Sequence, residues 1–174
     1  MRHIATISLI MLLGLPATGF ADGGGGGSTS PATKSCKKGE VWDGKKKVCV
    51  KIQSGIIPDT ELYEQGSALA RDGEYEWAIE VLAAARNQND PKILNYTGYS
   101  HRKAGRLETG IGFYRKALAI DPGFVLAREY LGEGYAAMGR IDLAQAELAE
   151  IARRCGITCE EYKDLAEAIS AASN

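Results

Sequence analysis

Histidine is nearly missing from this chain. There are two in 174 residues, and only His101 lies beyond the extreme N-terminus. No Ser-His-acid or Cys-His set can be assembled around His101 at a spacing such catalysis uses. Cysteines at metal-binding spacing are missing too. Twelve residues separate Cys36 from Cys49, three separate Cys155 from Cys159, and over a hundred lie between the pairs. A zinc finger needs short gaps on both sides. The run Gly23 to Gly27 has neither the lysine nor the preceding strand of a phosphate loop. Net charge is only −1, so no global excess of one sign argues for nucleic acid. No apolar run reaches the roughly twenty residues of a membrane span. The longest, Ile4 to Leu15, has twelve. The reading is non-enzymatic, with no cofactor and no metal.

What is present falls into segments. Arg2 precedes the apolar run, Pro16 ends it, and Gly19 with Ala21 (or Ala17 with Gly19) are small residues suited to a peptidase. Residues 1–21 therefore read as a cleavable signal peptide, and the protein as exported, periplasmic or secreted. Residues 22–35 are a Gly/Ser/Thr tract, a flexible linker. Residues 36–51 differ. Val41 and Val48 flank Asp43-Gly44, a hairpin signal. Cys36 and Cys49 stand on opposite sides of that turn, which in an exported protein reads as a disulfide. Lys34 to Lys51 holds seven lysines against Glu40 and Asp43, whereas the chain from Ile52 onward holds 13 basic and 19 acidic residues. The result is a basic head on an acidic body.

From Asp59 the chain repeats itself. Gly66, Gly98 and Gly132 each precede Gly73, Gly105 and Gly139 by seven residues. Five residues after each of those turn glycines comes a small residue (Ala78, Gly110, Ala144), and four further on a large one (Leu82, Tyr114, Leu148). A helix-interior glycine costs roughly 1 kcal/mol against alanine, so three in phase need a reason. Close approach of paired helices is that reason. Leu94, Thr97, Gly98 and His101 share one helical stripe, and Leu107, Gly110, Ile111, Tyr114, Ala117 and Leu118 another. Six helices are expected near 59–72, 75–87, 91–104, 107–119, 123–138 and 141–153.

This period of about 34 residues resembles the tetratricopeptide repeat. The resemblance covers residues 59–154, divided 59–90, 91–124 and 125–154, with Gly110 where the family has alanine and Arg128 where it favours tryptophan. It implies an all-α right-handed superhelix of three helix hairpins. Residues 155–174 add a capping helix, stripe Tyr162, Leu165, Ala166 and Ile169, opened by Thr158-Cys-Glu-Glu161 as a capping box. A second disulfide, Cys155–Cys159, would pin it. Three repeats and a cap imply a monomer.

The resemblance also implies that first helices line a groove for a protein or peptide partner, here of the cell envelope. Groove candidates are Tyr63, Ser67, Ala70 and Arg71, then Lys92, Asn95, Tyr96, Tyr99, Arg102 and Lys103, then Glu129, Tyr130, Glu133, Ala136 and Ala137. Tyr96, Tyr99, Arg102 and Lys103 form an aromatic-to-basic strip, with Arg102 expected to meet an acidic or C-terminal group. His101 is expected to pack. The pattern Cys-x-x-Gly-x-Val-Trp-Asp closing on Cys-Val resembles a small cysteine motif of exported bacterial proteins and part of a chitin-binding type-2 domain. It leaves open a second reading, in which an exposed Trp42 holds a cell-wall glycan.

Overall fold

The computed structural model describes residues 36–53 and 55–173. The expected signal peptide and linker lie outside them. Among the described residues two strands, β1 (Glu40–Asp43) and β2 (Val48–Lys51), precede seven helices. These are α1 (Asp59–Arg71), α2 (Tyr75–Ala83), α3 (Pro91–Lys103), α4 (Leu107–Ile120), α5 (Val125–Ala137), α6 (Ile141–Cys155) and α7 (Glu160–Ala172). The expected array of three helix hairpins, closing helix and N-terminal β-hairpin is the observed one. Among the described residues no helix is long and apolar enough to cross a membrane.

The three joints within the pairs share one geometry. Gly73, Gly105 and Gly139 have φ of +86°, +84° and +71°. The next residue's N–H reaches back into the helix: Glu74 to Leu69 O, Arg106 to His101 O and Arg140 to Tyr135 O, each at 2.9 Å. This is the Schellman closure, in which a left-handed glycine lets the chain satisfy orphan carbonyls. At the start of α3, Pro91 follows Asp90, whose carboxylate accepts from Lys92 N at 2.8 Å and Ile93 N at 3.3 Å.

Between paired helices the backbones nearly touch. A Cβ on Gly66 would lie 2.6 Å from Leu82 Cγ, and one on Gly98 would lie 2.8 Å from Tyr114 Cε1 and 3.0 Å from Gly110 O. The third pair departs from the expected pattern. The atoms nearest the would-be Cβ of Gly132 belong to Leu165 of α7, the first at 2.5 Å. The closing helix packs on both α5 and α6. It thereby supplies the bulk that the second helix supplies in the earlier repeats.

Three boundaries differ from the sequence expectation. Helix α2 stops at Ala83, not 87, because Gln88 folds back and its amide donates to Leu82 O, Ala83 O and Ala85 O at 3.2, 3.3 and 2.7 Å. Asp59 also takes the N–H groups of Arg86 and Asn87, at 2.9 and 2.8 Å. Helix α5 begins at Val125, after the turn at Asp121–Phe124. The capping box at Thr158 does not form. Cys159 is the N-cap of α7, without a side-chain capping bond. Cys159 is joined to Cys155 across this joint, with Cα atoms 6.0 Å apart.

The hairpin is antiparallel, pairing Trp42 with Cys49, and Cys36 is bridged to Cys49. Its connection is longer than a two-residue Asp-Gly turn. Gly44 to Lys47 form the loop, Lys47 has φ 59°, and Asp43 closes β1 with its carboxylate on the N–H groups of Lys45 and Lys46. The head is part of the array. Val41 is buried in the core of α1 and α2. The Gln65 amide accepts from Trp42 N at 2.8 Å and donates to Trp42 O at 2.9 Å, covering the free edge of β1. Trp77 Nε1 donates to Glu40 O at 3.0 Å. Trp42, expected to be exposed, is half-buried.

A pair of alanine substitutions tests the helix contacts. Gly112 on α4 has nothing within 4 Å of its would-be Cβ, so Gly112→Ala is expected to stabilise the array by up to about 1 kcal/mol. Gly98→Ala is expected to destabilise it by about 1–3 kcal/mol. Urea unfolding followed by circular dichroism measures both; equal shifts would refute the close approach at Gly98.

Candidate functional site

The first helices of the pairs, with α7, stand side by side and share one face. Tyrosines run across it. Ring centroids lie 5.8 Å apart for Tyr63–Tyr96, 6.0 Å for Tyr96–Tyr99, 5.0 Å for Tyr99–Tyr130 and 6.5 Å for Tyr96–Tyr130. All four pairs are tilted or edge-on, as the ring quadrupole favours. Tyr96 and Tyr130 hold one repeat position, two residues before Gly98 and Gly132. The stacking of repeats is what brings them together.

Cations lie over these rings. Arg71 is 5.5 Å from the Tyr96 centroid and donates to its hydroxyl at 2.9 Å. Lys92 stands 5.8 Å from Tyr63, and Lys103 5.6 Å from Tyr99. Arg71, Lys92 and Lys103 are exposed, whereas Tyr63, Tyr99 and Tyr130 are partly buried. Burial pushes the hydroxyl pKa of these three tyrosines above the ordinary phenol range, so each stays neutral.

Three expected anchors are not free surface. Arg102 is buried. Its guanidinium lies between Tyr99 and Tyr130, 5.6 and 5.5 Å from their centroids, donates to Tyr114 Oη at 3.2 Å and pairs with Glu133. Its stem passes where two glycines leave room. A Cβ on Gly110 would sit 3.0 Å from Arg102 Cβ, and one on Gly134 would sit 3.5 Å from Arg102 Cδ. Arg102 is thus a buried cross-link among α3, α4 and α5 and cannot meet a ligand's carboxylate. Tyr96 is buried at 6% exposure. Asn95 is fully buried, and among the described residues neither atom of its amide has a partner. These residues lie on the right face, but the neighbouring helix covers them.

His101 stacks on Phe113 at 5.4 Å, its Nδ1 accepts from Arg106 Nε at 2.8 Å, and burial lowers its pKa. Arg128, where the family favours tryptophan, pairs with Glu147 at 2.9 Å and donates to Pro122 O at 3.0 Å.

The face changes sign along its length. Toward α1 and α3 it carries Arg71, Lys92 and Lys103. Toward α7 it turns acidic: Glu133, Asp164 and Glu167, with Ala168 and Ala171, line a cavity of about 360 Å³. Sequence reasoning stopped at Glu133 and missed the contribution of α7. Glu129 is buried at 4% exposure. Its carboxyl pKa is pushed up to about 8 by burial, then by Glu133, Asp164 and Glu161, with Arg102 acting the other way.

No family model matches the chain. The chloroplastic tetratricopeptide repeat domain-containing protein PYG7 of Arabidopsis thaliana is 28% identical over 112 residues, 61% of this chain. The chain spans 37% of that relative's length. Among solved structures, the first TPR of Spaghetti (RPAP3) bound to the HSP90 peptide SRMEEVD superposes with a TM-score of 0.57 at 15% identity, covering 67% of this chain and 94% of that one. A crystal structure of MamA matches at 0.57 and 18% identity, over 66% and 68% of the two chains. The Sgt2 TPR domain from Aspergillus fumigatus matches at 0.57 and 17%, over 69% and 82%. The fold is that of a tetratricopeptide array.

The buried polar groups set two expectations. Glu129 keeps its proton to about pH 8 when folded, against an ordinary value of 4.5 when unfolded. The folded state binds the extra proton between those values, so stability falls as pH rises through that window. The part above pH 6.5 is the cleanest, because the lowered His101 pKa acts below it. Urea midpoints should fall from pH 6.5 to 8 in the wild type and stay level in Glu129→Gln; a level wild type would show Glu129 already ionised. The unpaired Asn95 amide is destabilising by about 1–3 kcal/mol where it lies. Asn95→Leu, which keeps the branching at Cγ, is expected to raise the thermal midpoint, and a lowered midpoint would show that the amide has a partner.

Proposed function

We propose that this protein is a non-enzymatic interaction module of the bacterial cell envelope, exported as residues 22–174 and monomeric, whose tyrosine-lined face takes a segment of a partner protein. The carrying observation is the row of partly buried rings, Tyr63, Tyr99 and Tyr130, beside exposed Arg71, Lys92 and Lys103. Tyrosine and arginine are the side chains that most often anchor interfaces, because rigid amphipathic area binds at low entropic cost. The fold supports the reading, since an array of this shape holds the acidic peptide SRMEEVD in Spaghetti. Arg102 and Tyr96 then act from beneath. They fix the angles of Tyr99 and Tyr130, while Lys92 and Lys103 meet acidic groups of the segment.

The test is a Tyr99→Ala, Lys103→Ala double variant, compared with wild type for partners recovered from an envelope extract. Truncating a true anchor costs about 2 kcal/mol or more, roughly thirtyfold in affinity. A Lys163→Ala control on α7 should recover everything. Full recovery by the double variant refutes the groove.

A further inference from the structure

The tip of the β-hairpin carries a second surface. The loop Gly44–Lys47 sets Lys45, Lys46 and Lys47 in a row, all exposed, with Lys37, Lys38 and Lys51 exposed on the same small module. Three acidic groups beside the tip are turned onto backbone N–H groups. Asp43 accepts from Lys45 and Lys46, Glu61 from Gly44 at 3.1 Å, and Asp59 from Arg86 and Asn87. The one side-chain pair at the tip is Lys46 with Asp43 at 3.4 Å, and there the Lys46 side chain stays 64% exposed.

Apolar groups sit among these lysines. Val48 directly follows Lys47 and is 47% exposed, and Ile56, which shares a cavity wall with Lys45, is 48% exposed. Two of the four exposed large aliphatic residues among the described residues thus fall at this one tip.

We propose that the hairpin tip binds the surface of an anionic phospholipid bilayer, with Lys45, Lys46 and Lys47 at the headgroups and Val48 and Ile56 reaching below them. The exposed aliphatic residues select a bilayer over a soluble polyanion, and the charge of the body sets the orientation. Val48 and Ile56 find an apolar layer under lipid headgroups, which a charged polymer in water does not offer. The chain from Ile52 onward has 19 acidic against 13 basic residues. An anionic plane attracts the basic head and repels this body, which orients the molecule with the hairpin tip toward the surface.

Vesicle co-sedimentation tests the proposal on the mature chain. Binding is expected to vesicles of phosphatidylcholine mixed with phosphatidylglycerol, not to phosphatidylcholine alone, and to weaken with salt as charge screening requires. Replacing Lys45, Lys46 and Lys47 by Gln should weaken it by about fivefold per lysine. The Arg triple at those positions should bind like wild type, and Val48→Ser with Ile56→Ser should weaken binding while keeping the salt dependence. No binding to either vesicle, equal binding to both, or retention on dextran sulfate without vesicle binding would overturn the proposal. The groove variant Tyr99→Ala, Lys103→Ala should bind vesicles normally, which separates failure here from failure of the groove.

Discussion

The backbones of α3 and α4 touch, and the rest of the molecule is arranged around that contact. It is reciprocal: the missing Cβ of Gly98 faces Gly110 O, and that of Gly110 faces Gly98 O at 2.8 Å. Two helices this close leave no space for side chains at the crossing, so bulk is displaced to either side. On one side Tyr114 fills the core without exposure. On the other, the stem of Arg102 runs through the gap left by Gly110 and Gly134. Helix proximity therefore decides where the buried Arg102 guanidinium ends, and the guanidinium decides how the tyrosines of two repeats stand.

A buried arginine is tolerable only if its charge is met. Here Glu133 from α5, the Tyr114 hydroxyl from α4 and two ring faces meet it. Those partners come from three helices of two repeats, so the ion pair also ties the second repeat to the third. Beside it lie the Asn95 amide, without a hydrogen-bond partner among the described residues, and the Glu129 carboxyl, whose pKa burial pushes up to about 8; each is one position from its repeat tyrosine. Buried polar groups without partners lower stability.

The array has two ends, closed by unlike means. At the start, a disulfide-linked hairpin offers a strand edge to Gln65 and an apolar residue, Val41, to the core. At the finish, α7 sets Leu165 against Gly132. Each end would otherwise expose the apolar flank of a repeat. The hairpin does this while carrying most of the lysines of its segment outward, so closing the array and presenting a basic tip are compatible in so few residues.

By itself the sequence determined the period, the helix pairs, the turn glycines and the hairpin, because each depends on local chemistry. A glycine followed by the same small and large residues at fixed offsets can be read from one copy and checked against the next. It also placed Tyr63, Tyr99, Tyr130 and Lys103 on the shared face, since helical phase alone decides that. Tertiary structure decided which residues of that face stay open. Asn95, Tyr96 and Arg102 have the same phase as residues that remain accessible, yet all three are buried; Tyr96 is met by Tyr63, Arg71 and Tyr130 of the helices on either side, and Arg102 runs through the room left by Gly110 and Gly134. The approach of Leu165 to Gly132 has the same origin: the pattern names a small residue that needs a large partner, and only the stacking of α7 on α5 brings this one nearest. Periodicity reports the direction of a side chain from its own helix axis, whereas accessibility depends on the spacing between axes, which no single helix encodes.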